Sequence, residues 1–402
     1  MTNNPFSYLP GRDYEAHSYV TDDFAYDLPS EYIAQAPADP RDSCRLLVLD
    51  RQTQHCEHRV FSDIVDLLTP RDLLVVNDTR VLPARLHMTK AQTGGAVEVL
   101  LLKRIDQVLE NADDQEGGSA AGGREDAENA EVENPDAEQL WECLAKPGRN
   151  ARSGQHLVLD VPDLGVQISA TVREERVDGV RLIAFECCEQ TFSDAIHAVG
   201  KLPLPPYITH GLDDQELYQT VYADDEHSAA APTAGLHFTQ DLLGRIQGKG
   251  VAVKAIRLDV GLDTFRPVAV DDPCNHSIHT EYVHVAPDVV DAIIQTKRAG
   301  GRVVAVGTTT ARALETAYQA SRSAGSDSEG LDTFAGTSGL FIVPGYRFGI
   351  VDALITNFHV PRSTLMMMVS AFATHESIRR AYDEALAHDY RFLSFGDGML
   401  IQ

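Results

Sequence analysis

The segment Gly301–Glu315, GRVVAVGTTTARALE, decides how the rest of the chain is read. An apolar, β-branched run ends at Gly307, three threonines follow, and a helical pattern then carries Arg312 and Glu315. Strand, glycine, hydroxyl-rich turn and helix make up the repeating unit of an α/β sheet. Such a turn offers hydroxyls and helix-start N–H groups to a carboxylate or phosphate at the sheet's carboxyl edge. The plainer alternative is a threonine N-cap on a crossover helix.

Outward from this unit, the pattern repeats. After Cys188, helical periods at Phe192–Val199, Glu216–Tyr222, Gln240–Gln247, Pro287–Ala299 and Ala311–Ala320 alternate with the strand runs VAVKAIRLDV, GRVVAVG, GLFIV and ALITNF. A final helix is expected over Ser363–Thr374, its three consecutive methionines read as adaptable core packing rather than a cofactor-facing box. Between Pro70 and about residue 189 the texture differs. DLLVVNDT, GAVEVLLL, LWECLA, QHLVLD, VQISATVREE and VRLIAFEC are short β-rich runs with hardly a helical period among them, which predicts a small antiparallel barrel. The expected fold is therefore a mixed-sheet α/β domain (residues 22–65 and 190–402) interrupted by a small antiparallel β-barrel domain (66–189), after an N-terminal extension (1–21). Residues 106–139, with twelve Asp or Glu and one Arg, have the composition of a disordered loop between two barrel strands.

Composition narrows the class. The 402-residue chain is 43% hydrophobic, as a globular enzyme is, and no apolar run reaches the ~20 residues of a membrane span. The acidic N-terminus is no signal peptide, so a cytoplasmic protein is expected. Six cysteines without C-x-x-C spacing argue against a thiolate zinc site and a disulfide framework. A formal charge of −26 means that any nucleic acid must meet a local basic face.

Four further motifs carry chemistry. In AAAPTAGLHFTQDLL (Ala229–Leu243), Thr239 caps a helix starting at Gln240, and Thr233, Gly235 and His237 form a tight turn before it. This is either a ligand-holding turn or a connecting loop with a satisfied buried histidine. NDTR (Asn77, Asp78, Thr79, Arg80) stands at a strand end, where turn chemistry competes with a site. HSIHTEY gives His276, His279 and Glu281 a metal-like spacing, but in a strand His276 points away from the other two, so no metal is expected. ITNFHVPRSTL ends a strand at Asn357 and His359. Dinucleotide, P-loop and α/β-hydrolase signatures are missing.

Together LPLPPYI (Leu202–Ile208), YQTVYA (Tyr218–Ala223), AAPTAGLHFT, VGTTTARALE, ITNFHVPRSTL, RFLSFGDGMLI (Arg391–Ile401), NDTRVLPARL and FAYDLP (Phe24–Pro29) resemble the S-adenosylmethionine:tRNA ribosyltransferase-isomerases of queuosine biosynthesis. The resemblance covers nearly the whole chain apart from its start and the acidic insertion. It departs at Asp259 and Asp263, where family members commonly have His and Gly, and at Met88, where Gly is usual. It implies a larger α/β domain interrupted by a β-barrel. It also implies an enzyme that moves the ribosyl part of S-adenosylmethionine onto 7-aminomethyl-7-deazaguanine in tRNA, giving epoxyqueuosine, adenine and methionine.

The partners so implied are S-adenosylmethionine, consumed as substrate with no further cofactor, and a tRNA carrying the 7-deazaguanine precursor; the chain is expected to be monomeric and to avoid membranes. The chemistry needs a base to take a ribose C5′ proton, and His237 is the first expectation, then His279 and His359. Thr308, Thr309 and Arg312 are candidates for the methionine carboxylate, and Asn357 for a sugar or base edge. Asn77, Asp78, Arg80, Thr233 and Thr239 complete the expected substrate-binding set. The competing readings are a metal-dependent hydrolase using His276, His279 and Glu281, and a non-catalytic RNA-binding protein.

Overall fold

The computed structural model describes residues 19–105, 138–187, 189–212, 214–261, 267–325 and 331–402. Most of the N-terminal extension, most of the acidic insertion and Asp263 lie outside them. The chain forms two compact units: one of the described residues up to Val81 together with Leu204–Gln402, the other Leu82–Pro203.

The first unit is built on a nine-stranded mixed sheet. Its strands are β1 (Arg45–Leu49), β2 (Cys56–Val60), β3 (Leu73–Asn77), β12 (Ala252–Leu258), β13 (Glu281–Val285), β14 (Val303–Val306), β15 (Phe334–Ser338), β16 (Ala353–Asn357) and β17 (Gly398–Ile401), in the spatial order β15-β13-β12-β3-β14-β16-β17-β1-β2. The central strands β12, β3, β14 and β16 run parallel. Their continuous apolar runs follow from burial on both faces. Leu73, Val75, Val303, Ala305 and Leu354 face one core, Leu74, Val76, Val304, Val306 and Ile355 the other. The first core is covered by α4 (Pro287–Arg298), α5 (Thr308–Ser323), α6 (Thr364–Phe372) and α7 (His375–Ala387), the second by α1 (Ile64–Leu67) and α3 (Gln240–Gly248). Glu315, fully buried on α5, accepts from Tyr346 Oη, Gly349 N, Ile350 N and Val351 N, which fixes the chain entering β16. A carboxylate with four donors can be buried there at little cost.

The second unit holds a closed six-stranded antiparallel barrel. Its strands are β5 (Arg85–Lys90), β6 (Ala96–Arg104), β7 (Glu138–Lys146), β8 (His156–Val161), β9 (Val166–Glu175) and β10 (Val180–Glu186) in the order β10-β7-β6-β5-β8-β9, and α2 (Glu189–Val199) follows. Alternation fills its interior: in β5, Leu86 and Met88 are buried while Arg85 and His87 are not. The departure at Met88 is thus a core residue. A short parallel pair joins β4 (Arg80–Val81) to β11 (Glu226–Ser228) in the first unit.

Four expectations need correction. DLLVVN, read as a barrel strand, is β3 at the centre of the large sheet; its unbroken apolar run is the mark of a doubly covered parallel strand, and Arg85–Lys90 takes its place in the barrel. GLFIV is no strand: FAGTS before it pairs with β13, and Phe341, Ile342 and Val343 are buried as irregular chain. Glu216–Tyr222 is a 3-10 turn over Gln215–Tyr218 only. The expected last helix ends at Phe372, and Thr374, accepting from Ser377 N, caps α7. No helix among the described residues is long and apolar enough to cross a membrane.

Candidate active site

The carboxyl ends of β3, β12, β14 and β16 carry most of the residues singled out above, and the structure sorts them into two groups. The first surrounds a cavity of about 230 Å³ lined by the polar residues His276, His279, Glu281, Thr308, Thr309 and Arg312. Its apolar wall includes Leu340, Phe341, Ile342 and Met368. All belong to the first unit. Of the three methionines, Met368 lines the cavity while Met366 and Met367 do not.

Local sequence explains the polar end. β14 stops at Gly307, whose φ of 92° is open to glycine but strained for other residues, and α5 starts at once. Gly307 has no side chain with which to cap the helix, so the first N–H groups are left to other partners. Thr310 folds back and donates to Val306 O at 2.6 Å. Thr309, only 9% exposed, keeps its hydroxyl buried with no hydrogen-bond partner among the described residues. Arg312 Nε is buried without one as well. Two buried donors lacking partners on one cavity wall is an arrangement that folding alone disfavours.

The rest of Arg312 is engaged. Nη1 donates to Glu281 Oε2 at 2.5 Å, and Nη2 donates to His279 O at 3.0 Å and Ser338 O at 3.1 Å. Burial lowers the guanidinium's pKa, and Glu281 works against that shift. Glu281 also accepts from Gly261 N at 2.8 Å. Arg312 therefore neutralises Glu281 and holds the backbone that presents His279. His279 is exposed, whereas His276 is half-buried and meets the Phe341 ring edge-on at 5.6 Å. Because β13 begins only at Glu281, the segment before it bends, which brings His276 to the same cavity as His279. The three nevertheless do not form a metal cluster among the described residues, and the Glu281 carboxylate is already taken up by Arg312 and Gly261.

The second group is closed. His237 ends the 3-10 turn Thr233–His237 and is 4% exposed. Asn357 Nδ2 donates to Leu393 O at 3.1 Å, which orients the amide, and to His237 Nε2 at 3.1 Å. The opposite nitrogen, Nδ1, then carries the proton and donates toward Cys44 Sγ at 3.3 Å. Thr233 Oγ1 donates to Asn357 Oδ1 at 3.4 Å, and the imidazole lies against Phe61 with centroids 4.8 Å apart. Burial, reinforced by Arg391 and Arg41, lowers its pKa to about 3. His359 is likewise pushed to about 3 by burial, its Nε2 2.8 Å from Thr356 Oγ1. Neither imidazole lines the cavity. Cys44 was missed from sequence; nothing in its local pattern announces it.

The remaining candidates do not line the cavity. Asn77 grips β12 through Leu258 O at 2.9 Å and Leu258 N at 3.0 Å. Thr239 caps α3 as expected, accepting from Leu242 N at 3.1 Å, and donates to Asp42. Arg80 is held by Glu216 and Glu226. Asp78 is half-buried, and burial followed by Asp224 and Asp225 raises its pKa. The departure at Asp259 is absorbed by Arg257, whose Nε and Nη2 donate to it at 2.8 and 3.0 Å.

Comparison with known proteins places this geometry in context. A family model described as a queuosine biosynthesis protein matches residues 21–401. A protein of Symbiobacterium thermophilum named S-adenosylmethionine:tRNA ribosyltransferase-isomerase is 47% identical over 380 residues, which is 94% of this chain and 98% of that one. A crystal structure of an S-adenosylmethionine tRNA ribosyltransferase from Thermotoga maritima is 34% identical, covering 94% of this chain and all of that one, with a TM-score of 0.49.

Proposed function

The chain belongs to the queuosine biosynthesis protein family, whose 47%-identical relative is an S-adenosylmethionine:tRNA ribosyltransferase-isomerase, and on that premise we propose that it transfers and isomerises the ribosyl moiety of S-adenosylmethionine onto 7-aminomethyl-7-deazaguanine in tRNA. The products of this reaction are epoxyqueuosine-tRNA, adenine and methionine. The observation that carries the reading is the pair of buried, partnerless donors, Thr309 Oγ1 and Arg312 Nε, beside the uncapped start of α5. That grouping suits a carboxylate such as the methionyl end of the substrate.

Each side chain then has a task. Thr309, Arg312 Nε and the α5 N–H groups hold the carboxylate, with Thr308 beside them. Leu340, Phe341, Ile342 and Met368 form an apolar wall that keeps water from the ylide formed when the C5′ proton leaves. His279 takes that proton: it is exposed and lines the cavity, and Arg312 holds its backbone. The ylide rearranges with loss of adenine, the aminomethyl nitrogen attacks, and methionine leaves as the epoxide closes. His237, Asn357 and His359 support this edge of the sheet without touching substrate.

The test is incubation of the full chain with S-adenosylmethionine and tRNA carrying the aminomethyl precursor. Adenine and methionine should appear in equal amounts, one of each per tRNA modified. tRNA that binds without release of adenine would overturn the reading in favour of an RNA-binding protein.

A further inference from the structure

The geometry points to a site for one divalent transition-metal ion, zinc foremost, formed by His58, Glu384 and His388 away from the cavity. Each offers a ligand atom, and these atoms all lie within 4.8 Å of one another. Chain positions explain the convergence. Glu384 and His388 are four residues apart at the end of α7, so they stand on one helix face. His58 is the middle residue of β2, the outermost strand on its side of the sheet. Glu384 Oε1 is 3.2 Å from His58 Nε2 and 3.3 Å from His388 Nδ1, and the two imidazoles are 4.4 Å apart between centroids.

The ligands are held from behind. His58 Nδ1 lies 2.9 Å from the buried Tyr390 hydroxyl, which orients the ring and directs Nε2 toward Glu384. His388 Nδ1 lies 2.9 Å from Glu384 O, a carbonyl that can only accept, so in this structure the ring is held to its own helix end by that bond. Arg45 donates to His388 O at 2.6 Å and to Asp389 O, and its guanidinium sits 4.2 Å over the Tyr390 ring, so the turn after α7 is fixed. Oriented imidazoles with such outer partners are what metal sites use. Two imidazoles and one carboxylate suit zinc, while magnesium and calcium prefer all-oxygen sets. Three protein ligands on an exposed surface leave the fourth position to water. A bound ion would tie the edge strand β2 to α7, which gives it a stabilising role distinct from the reaction.

The experiment titrates zinc into chelator-treated full-length protein against a competing chromophoric chelator, with thermal unfolding in parallel. One equivalent should bind and raise Tm, and magnesium should do neither. His58→Ala and His388→Ala should each weaken binding by roughly 100-fold or more, and Tyr390→Phe by about tenfold, the range for loss of an outer partner. Replacing both cavity imidazoles, His276→Ala with His279→Ala, should leave the zinc equivalent in place. Failure to bind one equivalent, or undiminished binding by His58→Ala, would overturn the assignment.

Discussion

Two groups of polar side chains sit at the same edge of the same sheet, and they differ in one respect. At His237 both ring nitrogens are met, Nε2 by Asn357 and Nδ1 by Cys44, and Thr233 and Leu393 satisfy Asn357, although the buried hydroxyls of Tyr222 and Thr220 beside Gly235 of the same turn have no partner among the described residues. Around Arg312, Thr309 Oγ1 and Arg312 Nε are buried beside a cavity without partners among the described residues. A histidine in a conspicuous motif therefore says less about chemistry than the completeness of the hydrogen bonding around it. Closed networks hold folds together, whereas open ones wait for ligand.

The largest effect expected from this contrast is at Arg312. Arg312→Ala leaves Glu281 buried beside an empty space, so urea unfolding should show a loss of about 3–5 kcal/mol, and turnover should vanish with the carboxylate site. Next, His237→Ala should cost about 2–4 kcal/mol through the cavity against Phe61 and the orphaned Asn357 donor. Adenine release per folded molecule should stay within a few-fold of wild type. If that variant folds as stably as the wild type, the closed group is not structural.

pH sharpens the same comparison. His237 and His359 are held near a pKa of about 3 in the fold, against 6.5 for an ordinary imidazole. Below 6.5 the unfolded chain binds protons that the folded chain does not, so the stability these neutral rings supply is present above that pH. It is lost progressively as pH falls toward 3. Between pH 7.5 and 5.0 each ring should withdraw about 2 kcal/mol. His237→Gln, measured by denaturant unfolding at both values, should show a pH loss smaller by about that amount. The smallest contrast lies within one helical turn. Thr309→Val should raise KM for S-adenosylmethionine about tenfold without loss of stability, whereas Thr310→Val, which gives up a bond to Val306 O, should change stability by under about 1 kcal/mol and leave KM alone.

How much of this was legible in the sequence depends on the range of the signal. Alternation in β5–β10 and the unit GRVVAVGTTTARALE report local burial, so the barrel and the α/β sheet were readable. DLLVVN was misplaced because an apolar run of that length fits a barrel or a central parallel strand equally well, and only the partners on both faces decide. At the site, Thr308, Thr309, Arg312 and His279 were named, and the cavity gathers them. What could not be read was satisfaction. Cys44 lies 193 positions from His237 and Asn357 lies 120, so nothing near His237 shows that its nitrogens are occupied. Its neutrality comes from burial above all, with Arg391 and Arg41 adding to it, and none of these is visible in the local sequence.

The central claim is tested most directly by the rate of adenine release from S-adenosylmethionine, with precursor-bearing tRNA, for His279→Ala and His237→Ala side by side, each assayed well below its own Tm. The open group being the site, His279→Ala should fold like the wild type and release adenine about 10²-fold or more slowly, as loss of a general base does. His237→Ala should be less stable yet release adenine at close to the wild-type rate. The opposite pattern, a stable His237→Ala that has lost adenine release and a His279→Ala that retains it, would contradict the account.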